Sequence, residues 1–179
     1  MLERLKAVIR GTINIERLKK DGLIVGSNFH AQDGVIIDPG HCWLITIGNN
    51  VTLAPRVHIL AHDASTKTGL GYTKLGTVTI GNNVFIGAGS IILPGVSIPD
   101  NTIIGAGSVV TKKIINPGGV YVGSPIRYIC SYEEYINRSK DRMKKMPIYD
   151  TSYIIGNITD VKKKQMRTEI EENNGGFIV

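Results

Sequence analysis

Large rings, cysteines, long apolar runs and mid-chain charge are all in short supply in this sequence. One Trp, three Phe and seven Tyr give an aromatic content of 6% in 179 residues, which argues against a core packed around stacked rings. Two cysteines, Cys42 and Cys130, do not make a disulfide framework. No stretch of about 18 apolar residues occurs, so no integral membrane helix is expected. The opening MLERLKAVIR carries charges too early and an apolar run too short for a secretory signal. It reads as an amphipathic helix, and the expected compartment is the cytoplasm.

Charge is scarce in the middle. Residues 23–130 hold six Lys/Arg and four Asp/Glu, whereas the whole chain carries 21 and 15, a net charge of +6. A nucleic-acid surface concentrates its cations on one element. Here most of them lie at the two ends, where a solvated helix face accounts for them, and no nucleic-acid partner is expected.

Glycine is abundant instead. The chain has 21, of which 16 fall between residues 23 and 130, about twice the usual share of about 7%. They do not recur at every third position, which excludes collagen, and Ile, Val and Leu are too plentiful for a disordered polymer. What repeats is an aliphatic residue every six positions: Ile80, Ile86, Ile92, Ile98 and Ile104. Val110 continues the series, Asn116 breaks it and Val122 restores it. Val84, Ser90, Val96, Thr102 and Ser108, all small or β-branched, stand four places after each isoleucine. An earlier block in another phase has Ile47, Leu53 and Ile59, with Leu23, Phe29 and Val35 sharing that phase more loosely.

A period of six suits neither an α-helix nor long strands. It predicts an all-β solenoid with three short strands and about 18 residues per turn. The narrow interior takes Ile and Val, while Gly81-Asn82-Asn83 and Pro99-Asp100-Asn101 supply turns. The phases do not join: Ile59 and Ile80 are 21 residues apart, and the pattern-free segment Asp63–Thr77 reads as an extruded, functional loop. A smaller irregularity lies at Asp38–Thr46. Beyond residue 130 the chain turns charged, with two helical stretches separated by Pro147 that either cover the open end of the solenoid or contact a neighbouring subunit. The expected organisation is an N-terminal helical segment (1–22), a solenoid (23–130) and a mainly helical extension (131–179).

The stretches IGNNVFIGAGSIILPGVSI, IIGAGSVVTKK and YVGSPIRYI resemble the hexapeptide-repeat acyltransferases, which form a left-handed parallel β-helix. They look most like the sugar O-acetyltransferase branch that includes maltose and galactoside acetyltransferases. VTLAPRVHILAHDAST is similar to members found with capsule and lipopolysaccharide biosynthesis. The resemblance covers roughly residues 23–130. It implies left-handed coiling, acetyl-coenzyme A as donor, a homotrimer and active sites between adjacent subunits.

Acyl transfer to a hydroxyl needs a base, and neutral imidazole, with an ordinary pKa of about 6.5, serves at neutral pH. His62 ends the AHDAS segment where the loop begins, and the resemblance makes it the catalytic histidine. His58 reads as an outward-facing strand residue, while His30 and His41 stand in less regular segments, His41 beside the Pro39-Gly40 turn, and either lines an acceptor pocket or has only a structural place there. Asp38 and Asp63 are the acidic residues available to orient the base. Asp38 also matches an acidic position that family members use toward the sugar, or else caps the turn before Pro39. Gln32 stands where the family carries an Asn that contacts the acceptor. Trp43 either packs in the irregular segment or stacks on a sugar.

Gly87, Ala88 and Gly89 form a run where a backbone N–H can approach the thioester oxygen. By resemblance, Ala88 and Ala106 present backbone groups to the pantetheine arm. Thr111 and Lys112 match the family's pair near the adenosine, and Arg127 matches a residue meeting the phosphates, with Lys113 adding charge. Neither cysteine lies in the catalytic motif, so direct attack in a ternary complex is expected. A zinc site of the γ-carbonic anhydrase kind needs three histidines, and residues 80–127 contain none, so no metal is expected. Two other readings stay open. One is an antibiotic or amino-sugar N-acetyltransferase of the same fold; the other is a non-catalytic scaffold.

Overall fold

The six-residue spacing resolves into short strands that visit three sheets in rotation. Residues 13–115 and 118–179 are described by the computed structural model. The first circuit holds β1 (Ile24–Val25), β2 (His30–Ala31) and β3 (Ile36–Ile37), and the second β4 (Ile45–Ile47), β5 (Thr52–Leu53) and β6 (His58–Ile59). A hairpin of β7 (His62–Asp63) and β8 (Lys74–Leu75) follows. The third circuit holds β9 (Val78–Ile80), β10 (Phe85–Ile86) and β11 (Ile91–Ile92), and the fourth β12 (Ser97–Ile98), β13 (Ile103–Ile104) and β14 (Val109–Val110). The three sheets are β1-β4-β9-β12, β2-β5-β10-β13 and β3-β6-β11-β14, with every neighbouring pair parallel. The second sheet also takes β15 (Gly119–Val122) in parallel and β16 (Arg127–Ser131) antiparallel to it.

Register stacks like on like. Val25, Ile47, Ile80 and Ile98 form one column. Ala31, Leu53, Ile86 and Ile104 form the second, and Ile37, Ile59, Ile92 and Val110 the third. From the second circuit on, every member of these columns is buried. Each isoleucine taken fully out of water contributes about 1.5–3 kcal/mol before entropy is charged against it.

Two phase assignments from the sequence are corrected by these columns. Leu23, Phe29 and Val35 do not continue Ile47 and Leu53. Val25, Ala31 and Ile37 do, because four extra residues enter between Ile37 and Ile47 at the irregular segment. Leu23 and Val35 are still buried, in the place that Ile45 and Val57 take one circuit later. Likewise Tyr121, not Val122, stacks on Ile104, so the last circuit is one residue short; Asn116 lies outside the described residues. The other phase break is the one expected. Residues 63–77 are fifteen in number, the excess of the Ile59–Ile80 interval over one hexapeptide.

Asparagine holds one corner. Asn28, Asn50, Asn83 and Asn101 all have φ between 52° and 54°, a left-handed conformation that Asn tolerates better than most residues. Their side chains bond in series, each Nδ2 donating to the next Oδ1 at 2.9, 3.0 and 3.0 Å. Glycine serves another need, since a Cβ on Gly87 would stand 2.4 Å from the Ala106 nitrogen on the next circuit.

Of the expected N-terminal segment, residues 1–12 lie outside the described residues. Within the remainder, α1 (Ile15–Lys20) is capped by Asn14, whose side chain accepts from the Arg17 N–H. The described chain falls into two compact units, the first ending at Tyr132. In the second, β17 (Ile148–Tyr149) pairs with β18 (Phe177–Ile178), and the Tyr149 hydroxyl donates to Glu169 on α4 (Asp160–Asn173) at 3.0 Å. The preceding helix, α3, is Tyr132–Met143, so both charged stretches are helical.

Candidate active site

Both interruptions of the repeat meet at one carboxylate. Asp38 follows β3 at the start of the irregular segment, and its side chain is entirely buried. A buried charge persists only when it is paired and hydrogen-bonded, and four N–H groups do this here. Oδ1 accepts from the backbone of Gly40 at 3.1 Å and His41 at 3.2 Å. Oδ2 accepts from the backbone of Ala61 at 3.0 Å and from Nδ1 of His62 in a short hydrogen bond. Burial pushes the Asp38 carboxyl up, yet the bonds from His62, Ala61 and Gly40 together hold it below the ordinary carboxylate range. Asp38 thus caps its own turn and orients the imidazole, so the turn-capping role and the orienting role are one arrangement.

His62 lies on β7, at the base of the extruded loop. The loop is closed there by antiparallel pairing of His62 with Leu75 and of Asp63 with Lys74. Asp63, the other acid available to orient a base, turns instead to Lys74 Nζ at 2.6 Å. That hydrogen bond, with those from Ser65, lowers its pKa to about 2. Within the loop, α2 (Lys67–Leu70) ends at Gly71, whose φ is +75°. Exposed Leu70, Tyr72 and Leu75 lie along it.

His41, which the sequence offered with His30 as a residue lining the acceptor pocket, stands in this cluster. Its ring centroid lies 5.0 Å from that of His62 and 5.3 Å from that of Trp43. The available signal was its place three residues after Asp38 in Asp-Pro-Gly-His, since a side-chain-capped turn returns the chain to the capping carboxylate. Trp43, on the 3-10 turn Cys42–Leu44, is 55% exposed, so it does not pack into the core. Cys42 fills the core there, its thiol directed to the carbonyls of Leu18 and Asp21.

The remaining expected residues lie apart from this cluster. Gln32 is exposed, with its N–H on the Leu53 carbonyl. His58 faces outward on β6 between Ile36 and Ile91, and His30 Nε2 meets Asn28 Oδ1 at the end of the asparagine series. Ala88 and Ala106 are exposed on successive circuits at one corner, joined by the Gly107 N–H on the Ala88 carbonyl at 2.8 Å. A Cβ added at neighbouring Gly89 or Gly107 would meet nothing within 4 Å. Space for a ligand thus lies open along this corner. Lys112 and Lys113 line a cleft of about 320 Å³ with Ile114, Ile115, Tyr121 and Tyr128. Thr111 and Arg127 are exposed and lie outside that lining.

One donor set among the described residues has the composition of a metal site. Asp38, His41 and His62 offer ligand atoms within 4.8 Å of one another. Asp38, however, already has both oxygens doubly occupied by N–H donors, which fills the roughly four acceptor sites of a carboxylate. Its geometry is that of a carboxylate–imidazole hydrogen-bonded pair.

Comparison with known proteins agrees with the repeat. Residues 77–112 match the family described as bacterial transferase hexapeptide (six repeats). A maltose O-acetyltransferase from Clostridium difficile 630 shares 32% identity, with a TM-score of 0.53 over 72% of this chain and 83% of that one. A hexapeptide-repeat-containing acetyltransferase from Vibrio cholerae, 24% identical, superposes with a TM-score of 0.52 over 73% and 88% of the two chains. It shares the fold. A protein of Dictyostelium discoideum assigned as an acetyltransferase is 42% identical over 79 residues, which is 40% of this chain and 38% of its own length. The repeat match together with the extent of identity to the Clostridium difficile enzyme shows that this chain belongs to the bacterial hexapeptide-repeat acyltransferases.

Proposed function

We propose that the protein is an acetyl-coenzyme A-dependent O-acetyltransferase acting on a sugar hydroxyl in surface-polysaccharide biosynthesis, with His62 as general base. The observation that carries this reading is the Asp38–His62 pair. A buried carboxylate on Nδ1 fixes the tautomer, and Nε2 is left as the basic nitrogen on a ring that is 38% exposed. The maltose O-acetyltransferase likeness supports a sugar acceptor.

Acetyl-coenzyme A supplies a thioester carbonyl as acyl donor. Its binding strip would run along the open corner of Ala88 and Ala106 beside Gly87 and end near Thr111 and the Lys112–Lys113 cleft, with Arg127 adding positive charge toward the phosphates. A relative of the same fold, from Vibrio cholerae O1 biovar eltor, is known in complex with acetyl coenzyme A. His62 Nε2 removes the proton of the acceptor hydroxyl as its oxygen bonds to the carbonyl carbon. The imidazolium, stabilised by Asp38, returns that proton to the sulfur as the carbon–sulfur bond breaks. No protein group is acylated. Gln32 and Trp43 are assigned to the acceptor side.

Residues 23–130 carry this activity as a left-handed parallel β-helix, with 131–179 as an extension. The assembly is a cytoplasmic homotrimer with its sites between subunits. Supporting it is the outward column Ile36, His58, Ile91 and Val109, in register on one sheet and largely apolar. The reading is tested by following free thiol release from acetyl-coenzyme A with a panel of sugars, nucleotide sugars and amino sugars. O-acetylated product is expected. Product only from amino sugars would move the assignment to N-acetyltransfer.

A further inference from the structure

His41 stands beside the reactive pair without a task in the mechanism above. Its Nδ1 is sealed from solvent and has no hydrogen-bond partner. It lies 3.8 Å from Asp38 Oδ1, beyond hydrogen-bond length. A lone pair turned toward a buried carboxylate is repelled, and an N–H is attracted. The proton of the neutral ring therefore belongs on Nδ1, and Nε2 carries the lone pair. His62 is held in the same sense by the other oxygen of the same carboxylate. One buried anion thus gives two imidazoles the same tautomer, and both offer an unprotonated Nε2. Their centroids are 5.0 Å apart.

Two imidazole rings this close, each with an unprotonated Nε2 and one of them the general base, suit two hydroxyl donors carried on adjacent carbons. The oxygens of such a pair are about one hydrogen-bond length apart, a separation that two rings 5.0 Å apart can straddle. The Trp43 ring, 5.3 Å from that of His41, is largely exposed and gives the apolar face of a sugar ring a wall to lie against. Asp38, His41 and Trp43 all come from the residues that interrupt the repeat, while His62 comes from the base of the loop. The interruption at 38–46 therefore builds acceptor selection beside the base.

We propose that His41 is a specificity-determining residue that receives a second hydroxyl of the acceptor, adjacent to the one acylated, so that the substrate class is a vicinal diol. This rests on the assignment of His62 as general base in O-acetyl transfer. The hydroxyl next to the acylated carbon donates to His41 Nε2, which leaves the attacking oxygen of the acylated carbon on His62 Nε2. A site that accepts this hydroxyl discriminates against the deoxy analogue, which leaves His41 Nε2 without its donor.

The test uses the full chain with the methyl glycosides of glucose, galactose and mannose and their monodeoxy analogues. It compares wild type, His41→Ala, His41→Phe and His62→Ala, with thermal midpoints measured for all four. With wild type, deleting the hydroxyl adjacent to the acylated carbon is expected to lower kcat/KM at least tenfold. In His41→Ala and His41→Phe the same deletion is expected to change it less than twofold. His41→Phe keeps the ring wall and lacks only the nitrogens, so it separates the hydrogen bond from packing. A tenfold deoxy penalty that survives in both variants overturns the proposal, as does a wild-type enzyme indifferent to the neighbouring hydroxyl, or one that acylates the primary 6-hydroxyl, whose neighbouring ring carbon carries none. Failure of the underlying reading looks different: no glycoside is acetylated at all, or His62→Ala acetylates them at the wild-type rate.

Discussion

Asp38 shows how one side chain decides several features of the site at once. Its four N–H donors come from the turn it begins and from Ala61 and His62, where the second circuit passes into the loop. Asp38→Asn places an amide NH2 against two of them, and each buried donor left facing another donor costs about 1–3 kcal/mol. The imidazole tautomer is no longer enforced either, and kcat is expected to fall by about 10²–10⁴. The Asp38 carboxyl is held below its ordinary value. Its charge therefore stabilises the fold fully above the unfolded pKa of about 3.9, and that contribution is lost as pH falls through the lower folded value. Denaturant melts of wild type and Asp38→Asn should differ most at neutral pH and converge below about pH 4. A gap that widened on acidification would contradict the assignment.

Residue types pointed to much of this, and spacing to less. His62 was marked by the family resemblance, at the place where the earlier repeat block gives way to a segment without pattern. The choice of Asp38 over Asp63 as its partner was not decided there, since the link crosses 24 positions and depends on how many residues the irregular segment adds. The closeness of His41 to that pair was hidden for the same reason. A turn that folds back on its capping carboxylate looks, in sequence, like any other Asp-Pro-Gly turn.

At the scale of elements, two-residue strands have little pairing of their own, and the corners do the joining. The asparagine series links four circuits through side-chain amides at positive φ. Asn83 occupies an inner place, with one bond to Asn50 and one to Asn101. Asn83→Gly keeps the backbone conformation and loses two bonds, for about 1–3 kcal/mol. Asn83→Ala loses the same bonds and adds the left-handed penalty of about 1–2 kcal/mol. Chemical denaturation should rank the variants wild type, then Gly, then Ala; Ala at least as stable as Gly would show that the corner does not need this conformation. The period of six was readable because identical columns demand identical residues. The phases of the first circuit and the last were not, because insertions of four residues and deletions of one leave no aliphatic marker.

For the molecule as a whole, the scarcity of rings and the excess of glycine have one cause. Circuits stack closely enough that a Cβ at Gly87 would strike the next backbone, and the narrow interior admits Ile and Val. The outward column of Ile36, His58, Ile91 and Val109 has no such constraint, and an apolar strip on a solvated sheet is a natural subunit contact. Ile91→Glu is expected to shift the assembly from trimer to monomer by light scattering, and to abolish turnover if sites lie between subunits. A variant that stayed trimeric would place the contact elsewhere. The central claim is that His62, held by Asp38, is the base for acetyl transfer to a sugar hydroxyl. Thiol release with the best sugar acceptor tests it most directly. His62→Ala should lower kcat by about 10²–10⁴ with the fold intact, whereas turnover near wild type would contradict the account.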